Sequence, residues 1–368
     1  MTGYIGIGGT AKKVKNIYVG VGGVAKKVKK GYIGVGGVAR LWYALPKKLS
    51  YYGTATDLNA ARYEFAGTNV GDYALFAGGH GGSSTYAIVD AYNISLVRSS
   101  VTALSAARYY LTGASVGNYA LFAGGYGSSV VATVDAYNIT LTRSTPTALG
   151  AKRRHLAGAS VGNYALFAGG YGSSYASTVY AYDTSLTQST PTALSAARTY
   201  VAGASVGNYA LIGGGSTSSA RSAVVDAYNT SLTRSTPTAL ATARQQLAGA
   251  GTGNYALFAG GYTGSAYSAV VDAYNTSLTR STPTALSVGR RDFAGVSVDG
   301  FAVFAGGISG SESDVADAYD KTLTRSLPTV LSAARYYLTG ANVGNCALIA
   351  GGTNNSSASK AVDVYQVA

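Results

Sequence analysis

Residues 108–152 read RYYLTGASVGNYALFAGGYGSSVVATVDAYNITLTRSTPTALGAK, and this pattern returns along the chain with a period of 45 or 46 residues. Its short runs YLTGA, NYALFAGG, ATVDAY and LTRST are apolar or rich in β-branched residues, and Gly, Asn and Ser separate them. Four strands with tight turns fit into such a unit. The period therefore predicts a tandem array of one small antiparallel sheet.

A glycine doublet marks each copy of the unit. The doublets lie at 78–79, 124–125, 169–170, 214–215, 260–261, 306–307 and 351–352. The last copy stops before any equivalent of LTRST, whereas KKLSYYGTATDL at 47–58 precedes Arg62 as LTRSTPTAL precedes later copies. An N-terminal strand that completes the last sheet would close a ring and remove both sheet edges. We therefore predict an all-β fold, a seven-bladed β-propeller over residues 46–368 with three-plus-one closure.

The unit resembles the kelch repeat in its doublets, such as Gly124-Gly125, and in the tyrosine that follows twelve or thirteen residues later, such as Tyr137. It departs from that family where a tryptophan is usual. The residues at that place are Arg98, Arg143, Gln188, Arg234, Arg280 and Arg325. The resemblance implies a kelch-like propeller and says little about function, because propellers carry many functions.

Two places in the unit differ most between copies. One is the loop between the doublet and the tyrosine, which holds every difference in length, and the other is the pair of residues after each copy's arginine, such as Tyr109-Tyr110. Alternate loops of an antiparallel blade lie on opposite faces, so both places share one face. Diversity on one face of a constant scaffold is typical of a binding surface, although simple drift of the loop is an alternative.

Tyrosine is frequent in these variable places and suits binding, since it offers a large contact area and a hydroxyl at little entropic cost. The predicted ligand-binding residues are Tyr63, His80, Tyr109, Tyr110, Tyr126, Arg154, His155, Tyr171, Tyr200, Gln245, Tyr262, Arg291, Tyr336 and Tyr337.

The net charge of +13 is concentrated at the N-terminus. Residues 1–48 hold ten Lys or Arg and no acid, which leaves 18 basic and 15 acidic residues for the rest. Residues 1–45 form three repeats with a period of 14, YIGIGGTAKKVKN, YVGVGGVAKKVKK and YIGVGGVARLWY, each predicted as a β-hairpin around Gly-Gly. Lysines fall on both faces of such hairpins, so we expect this segment to be ordered by docking on another molecule.

These repeats resemble N-terminal segments of structural proteins in bacteriophages and prophages of Gram-positive bacteria, which implies an attachment module for a virion. The anchoring residues would be Tyr4, Lys12, Lys13, Tyr18, Lys26, Lys27, Tyr32, Arg40 and Trp42.

The chain offers little for catalysis. Cys346 is the single cysteine and His80 and His155 are the only histidines, which excludes an internal disulfide and a cysteine-based zinc or iron–sulfur site. Copper oxidases of the galactose oxidase kind share the kelch-like fold, but they need two histidines, two tyrosines and a cross-linked cysteine. An aspartate also recurs in most copies, and recurrence favours hydrogen-bond acceptors at turns or strand ends. These are Asp90, Asp135, Asp226, Asp272, Asp317 and Asp363. We predict no enzyme activity, no cofactor and no metal.

The predicted function is a non-enzymatic bacteriophage virion protein, in the tail or elsewhere, present in multiple copies in a symmetric assembly. Residues 1–45 would bind other virion proteins, and the propeller face would recognise a host-surface glycan or protein or another virion subunit. The alternative is a soluble bacterial kelch-like interaction protein whose basic head contacts nucleic acid or an acidic surface. No run of about 18 apolar residues occurs, and lysines interrupt the start, so we expect no membrane insertion and no signal peptide. The virion would assemble in the bacterial cytoplasm.

Overall fold

The computed structural model describes residues 47–368 throughout and, within residues 1–46, the backbone of a set of short strands. The chain divides into two compact units, Met1–Lys48 with Ala368, and Leu49–Val367. The side chains of the predicted anchoring residues lie outside the described part of the chain. They are Tyr4, Lys12, Lys13, Tyr18, Lys26, Lys27, Tyr32, Arg40 and Trp42.

The described backbone of the N-terminal unit pairs in antiparallel hairpins. Each hairpin joins strands that a Gly-Gly pair separates in the sequence, as the period of 14 predicts. The hairpins are β1 (Tyr4–Ile7) with β2 (Thr10–Lys13), β3 (Tyr18–Val21) with β4 (Val24–Lys27), and β5 (Lys30–Val35) with β6 (Val38–Ala44).

Residues 49–367 form seven four-stranded antiparallel sheets, which are the blades of a β-propeller within the described region. The first strands contact one another in sequence and β32 contacts β8, so they line the central axis. The first strands of blades 1 to 7 are β8 (Ala66–Val70), β12 (Thr112–Val116), β16 (Ala157–Val161), β20 (Ala202–Val206), β24 (Ala248–Gly251), β28 (Ala294–Val298) and β32 (Thr339–Val343). The second strands are β9 (Tyr73–Ala77), β13 (Tyr119–Ala123), β17 (Tyr164–Ala168), β21 (Tyr209–Gly213), β25 (Tyr255–Ala259), β29 (Phe301–Ala305) and β33 (Cys346–Ala350).

The outer half of each blade follows the same order. The third strands are β10 (Val89–Asn93), β14 (Val134–Asn138), β18 (Val179–Asp183), β22 (Val225–Asn229), β26 (Val271–Asn275), β30 (Ala316–Tyr319) and β34 (Val362–Val367). The fourth strands are β11 (Arg98–Val101), β15 (Arg143–Ser144), β19 (Gln188–Ser189), β23 (Arg234–Ser235), β27 (Arg280–Ser281), β31 (Arg325–Ser326) and, for blade 7, β7 (Leu49–Thr54).

Strand β7 closes the ring by pairing with β34, the last strand of the chain. The register places Leu49 opposite Val367, and the Tyr51 hydroxyl donates to the Asp363 carboxylate at 2.7 Å. The predicted seven-bladed propeller with three-plus-one closure is therefore confirmed. The described part of the chain includes no helix that could cross a membrane.

The hydrophobic core lies between neighbouring blades and not in one central mass. In β13, Ala120 and Phe122 pack toward blade 1, whereas Leu121 and Ala123 pack toward blade 3. Both faces of the second strand are buried, which explains why NYALFAGG is an almost continuous apolar run.

The recurring tyrosine of the third strand ties each blade to its neighbour. The Tyr137 hydroxyl donates to the Thr102 carbonyl at 2.8 Å, and the ring contacts Phe122 edge-on at 6.0 Å. Tyr92 reaches the Thr56 carbonyl in the same way at 2.8 Å, so the segment after β7 takes part in closure. A buried hydroxyl needs such a partner, and the repeat supplies one in the preceding connection.

The recurring aspartates accept hydrogen bonds from backbone amides, as predicted; the Asp135 carboxylate, for example, accepts the amide of Ser105 at 3.1 Å. Their burial and their ion pairs were not predicted. Each occupies the second position of its third strand, is fully buried, and forms an ion pair with the arginine that begins its repeat. Arg62 and Asp90, for example, are 2.7 Å apart and both 0% exposed. The pairs are Arg62–Asp90, Arg108–Asp135, Arg198–Asp226, Arg244–Asp272, Arg290–Asp317 and Arg335–Asp363. Two charges tolerate such burial only when paired and hydrogen-bonded.

In blade 3 the arginine that begins the repeat has a different partner. Tyr180 replaces the aspartate, and the guanidinium of Arg153 lies over its ring at 5.8 Å. Arg153 also donates to the Thr178 hydroxyl at 3.1 Å. A cation–π contact thus substitutes for the ion pair.

Asp272 binds two arginines that differ in exposure, so replacing each in turn tests how much the burial of an ion pair matters for stability. Arg244 is 0% exposed and 2.6 Å from the carboxylate, whereas Arg280 is 25% exposed at 2.9 Å. Arg244→Met should lower the free energy of unfolding by about 3 kcal/mol, because it removes the buried cation and leaves the buried carboxylate with the partly exposed Arg280 as its ionic partner. Arg280→Met should cost less than about 1 kcal/mol. Chemical denaturation measures both, and equal losses would contradict the assignment.

Candidate functional site

The two variable places of the repeat meet on one face of the propeller. The first residue of each pair forms a β-bridge with the residue after the doublet of its own blade, as Tyr63 does with His80 through N–H···O bonds of 3.0 and 2.9 Å. We call these bridged residues the outer ring. They are Tyr63 and His80, Tyr109 and Tyr126, Arg154 and Tyr171, Thr199 and Ser216, Gln245 and Tyr262, Arg291 and Ile308, and Tyr336 and Thr353.

The constant turns lie at the other ends of the strands. Gly71, between β8 and β9, lies beside Ile139, between β14 and β15 of the next blade. In the latter turn the Asn138 side chain accepts hydrogen bonds from the amides of Thr140 and Thr142 at 3.0 and 2.9 Å. We call this the constant face and the other the variable face.

The second residue of each pair forms a closed belt around the axis. Each has a left-handed backbone with φ between 53 and 57°, and its amide donates to the carbonyl of the equivalent residue in the preceding blade. The bond from Glu64 N to Tyr337 O, 3.1 Å long, closes the circle. We call this set the inner ring. It comprises Glu64, Tyr110, His155, Tyr200, Gln246, Asp292 and Tyr337.

The inner ring surrounds a cavity of about 250 Å³ at the mouth of the central channel. The residues that follow it in the sequence, such as Phe65, Leu111 and Phe293, line the cavity as well. Left-handed backbone at residues other than glycine costs on the order of 1 kcal/mol each and is common at functional sites. The mouth is therefore a candidate binding site, in which the inner ring contributes polar and aromatic side chains and the residues that follow it contribute apolar ones.

One half of the mouth is aromatic. The His155 ring lies 3.9 Å from the Tyr110 ring and 4.2 Å from the Tyr200 ring, between centroids. Burial, and secondly the charge of Arg154, lower the pKa of His155 to about 3. His155 is therefore neutral at physiological pH, and this half of the mouth is a stack of uncharged rings.

The other half of the mouth is acidic. Burial raises the pKa of Glu64 to about 7, although a hydrogen bond with Tyr110 opposes the shift. Burial likewise raises the pKa of Asp292 to about 6, against the effects of Arg291 and of Gln246, whose Nε2 donates to both carboxylate oxygens at 2.9 and 3.0 Å. Tyr337 lies between these two acids in the ring, and its own pKa is raised by burial and by both of them.

Outside the mouth, aromatic contacts run from blade to blade along the outer ring. The Tyr63 hydroxyl and His80 Nδ1 are 3.0 Å apart, and the His80 ring is 5.1 Å from that of Tyr109. Farther round, the Arg154 guanidinium lies over the rings of Tyr126 and Tyr171 at 5.3 and 5.7 Å. Arg291 lies over Tyr262 in the same manner at 5.2 Å.

A second, open cavity of about 660 Å³ continues from the mouth over blades 7, 1 and 2. We call it the groove. It shares Glu64, Tyr110 and Tyr337 with the mouth, and Tyr63 and Tyr336 also line it. Small polar residues of the blade 7 loop complete it. They are Thr353, Asn354, Asn355, Ser356 and Ser357.

The structure thus places the fourteen predicted ligand-binding residues on the variable face, divided between the two rings. Glu64, Gln246 and Asp292 were not among them, yet they complete the inner ring. They stand at the same repeat position as Tyr110 and Tyr337, which is the signal that could have selected them. In the described residues no group of three His, Cys, Asp or Glu side chains could hold a metal ion.

Comparison with known proteins supports the fold. No protein-family model and no curated protein sequence matches the chain. Among solved structures, YjhT aligns with a TM-score of 0.57 at 13% identity, over 85% of this chain and 99% of that one. At this identity the likeness shows the β-propeller architecture alone, which is consistent with a binding role.

The raised pKa of Glu64 predicts a pH dependence of stability. The folded protein binds the proton of the Glu64 carboxyl group more tightly than the unfolded chain does. The contribution of Glu64 to the free energy of unfolding therefore falls as pH rises from 4.5, the ordinary pKa of this group, through about 7. Glu64→Gln should therefore be more stable than the wild type at pH 8, by on the order of 2 kcal/mol, and equally stable at pH 4.

Thermal unfolding across this pH range measures the effect. Asp57→Asn is the control for loss of an exposed carboxylate, because the Asp57 side chain is 46% exposed. Parallel profiles for the wild type and Glu64→Gln would contradict the assignment.

Proposed function

We propose that this protein is a non-enzymatic virion component that binds a glycan of the host surface through the variable face and attaches to the particle through residues 1–45. The observation that supports glycan binding is the chain of aromatic contacts on the variable face. It passes from Tyr336 and Tyr337 through Tyr63 and His80 to Tyr109.

A glycan suits this surface chemically. Sugar rings have apolar C–H faces and hydroxyl edges, and tyrosine offers a matching apolar ring and a hydroxyl. The groove adds Asn354, Asn355 and Ser356, whose side chains can donate and accept hydrogen bonds. An open groove of about 660 Å³ accommodates a short oligosaccharide.

The proposal for residues 1–45 rests on their composition. Lys12, Lys13, Lys26 and Lys27 recur at the period of the hairpins, and no acid accompanies them. Such a segment is suited to docking on an acidic protein surface of the particle. The same charge supports the second candidate, a soluble interaction protein whose head binds nucleic acid.

Exchanges between blades test the binding face without disturbing the fold. Tyr63→Thr and Tyr336→Thr introduce the residue that blade 4 already has at this position, Thr199, and both tyrosines line the groove. The double variant should bind host cells at least about tenfold more weakly, since it removes two aromatic contacts, and should keep its melting temperature.

The matched control lies on the constant face. Ile94→Thr with Ile139→Thr introduces the residue that blades 4 and 5 have there, Thr230 and Thr276. Sedimentation of labelled protein with host cells is the measurement. If the two double variants bind equally well, the variable face is not the receptor surface.

Density-gradient sedimentation tests attachment to the particle. Nuclease-treated lysates of producing cells should contain the full-length chain in fast-sedimenting particles, whereas a chain without residues 1–45 should stay at the top. The truncated chain keeps β7 and hence the closed ring. If the full-length chain sediments only together with nucleic acid, and added salt abolishes this association, the second candidate is favoured. Absence of both chains from particles would refute the virion proposal.

A further inference from the structure

Aromatic and acidic side chains alternate along one arc of the inner ring. In order around the axis they are Tyr110, Glu64, Tyr337 and Asp292, from blades 2, 1, 7 and 6. The amide of each of the first three donates to the carbonyl of the next along the arc, at 2.9, 3.1 and 2.9 Å, so their order is fixed by the backbone.

The charges around this arc are unevenly balanced. Asp292 has a basic neighbour, since Arg291 Nε lies 3.6 Å from its carboxylate. Glu64 interacts with the Tyr110 hydroxyl and with a second carboxylate, that of Asp292, which repels it. Arg154 lies over the Tyr110 ring, 5.9 Å from its centroid, and forms no ion pair with Glu64 among the described residues, while His155 is neutral. The arc therefore contains a partly buried carboxylate for which the described residues supply no ion pair.

An organic ammonium group matches these surroundings. It carries three N–H donors, which carboxylates and tyrosine hydroxyls accept, and its charge is attracted to the faces of aromatic rings. A metal ion would need more ligands, and the described residues offer no cluster of three suitable side chains.

We propose that the mouth of the channel binds the ammonium group of an amino sugar, with the nitrogen between Glu64 and Asp292 and against Tyr337. This rests on the proposed function, because it names the class of glycan bound by the variable face. Glu64, Tyr110 and Tyr337 belong to both cavities, so a chain whose amino sugar occupies the mouth continues into the groove.

Binding of this kind releases protons. Burial raises the pKa of both carboxyl groups, and a bound cation lowers it again. At mildly acidic pH the free protein holds most of these protons, and a ligand that is already an ammonium ion displaces them. A neutral sugar has no such effect.

Calorimetry with two matched oligosaccharides tests the proposal. A β-1,4-linked glucosamine tetramer carries ammonium groups at mildly acidic pH, and its N-acetylated counterpart has the same backbone without the charge. The wild type should bind the amine form at least about tenfold more tightly. Titrations in two buffers of different ionisation enthalpy should show proton release for the amine form alone.

Glu64→Gln is the decisive variant. Glutamine already occupies the equivalent position in blade 5, as Gln246 with the same backbone conformation, so the fold accommodates it. The variant should lose the tenfold preference for the amine and bind the acetylated form as the wild type does. Asp183→Asn is the control, because it removes a carboxylate from the constant face at a position where blade 2 has Asn138, and it should keep the preference.

The possible results separate this proposal from the proposed function. Equal binding of the two tetramers by the wild type, or a preference that survives in Glu64→Gln, overturns the ammonium site. If neither tetramer binds while Tyr63→Thr with Tyr336→Thr still weakens binding to host cells, the ammonium site is refuted and the variable face remains the receptor surface. Binding of a lysine-rich peptide in place of the glucosamine tetramer overturns the assignment to an amino sugar.

Discussion

The buried arginine that begins each repeat joins the scaffold to the variable face. In blade 2, Arg108 forms an ion pair with Asp135 at 2.8 Å, and its carbonyl accepts the amide of Gly79 in blade 1 at 2.9 Å. A side chain on Gly78 would collide with that carbonyl, and the doublet residues have φ values of 73 and 109°, so this approach requires glycine. The variable pair comes immediately after the arginine and is therefore fixed in space by it.

A uniform backbone allows the chemistry of the face to vary. Tyrosine, histidine, glutamine and carboxylate side chains all occupy the inner ring with φ between 53 and 57°. The belt of hydrogen bonds between blades and the anchored arginine hold each residue in this strained conformation. Side chains can therefore change without rearrangement of the loop. The same property makes exchange of residues between blades a mild perturbation of the fold.

The repeat made the blades predictable, because the period, the doublets and the N-terminal strand that completes blade 7 all indicated one closed ring. The ion pairs of the aspartates were missed because a charged side chain is not expected to be fully buried within a strand. Their partners lie 27 or 28 residues earlier, as Arg62 does for Asp90, and only the fold brings them together. The recurrence of one arginine and one aspartate in most copies was the available signal. Glu64 and Asp292 could be placed by repeat position, but their burial and mutual repulsion depend on neighbouring blades.

The mouth of the channel divides its tasks between two halves. Because the pKa of His155 is lowered to about 3, the stack of Tyr110, His155 and Tyr200 keeps one charge state and one shape throughout the physiological range. Glu64 and Asp292, with pKa values of about 7 and 6, are the groups of the mouth whose charge changes there. Under the proposed function, a ligand would therefore be selected by fit against the aromatic half and by charge against the acidic half. Since both halves are carried by equivalent backbone positions, this division arises from side-chain identity alone.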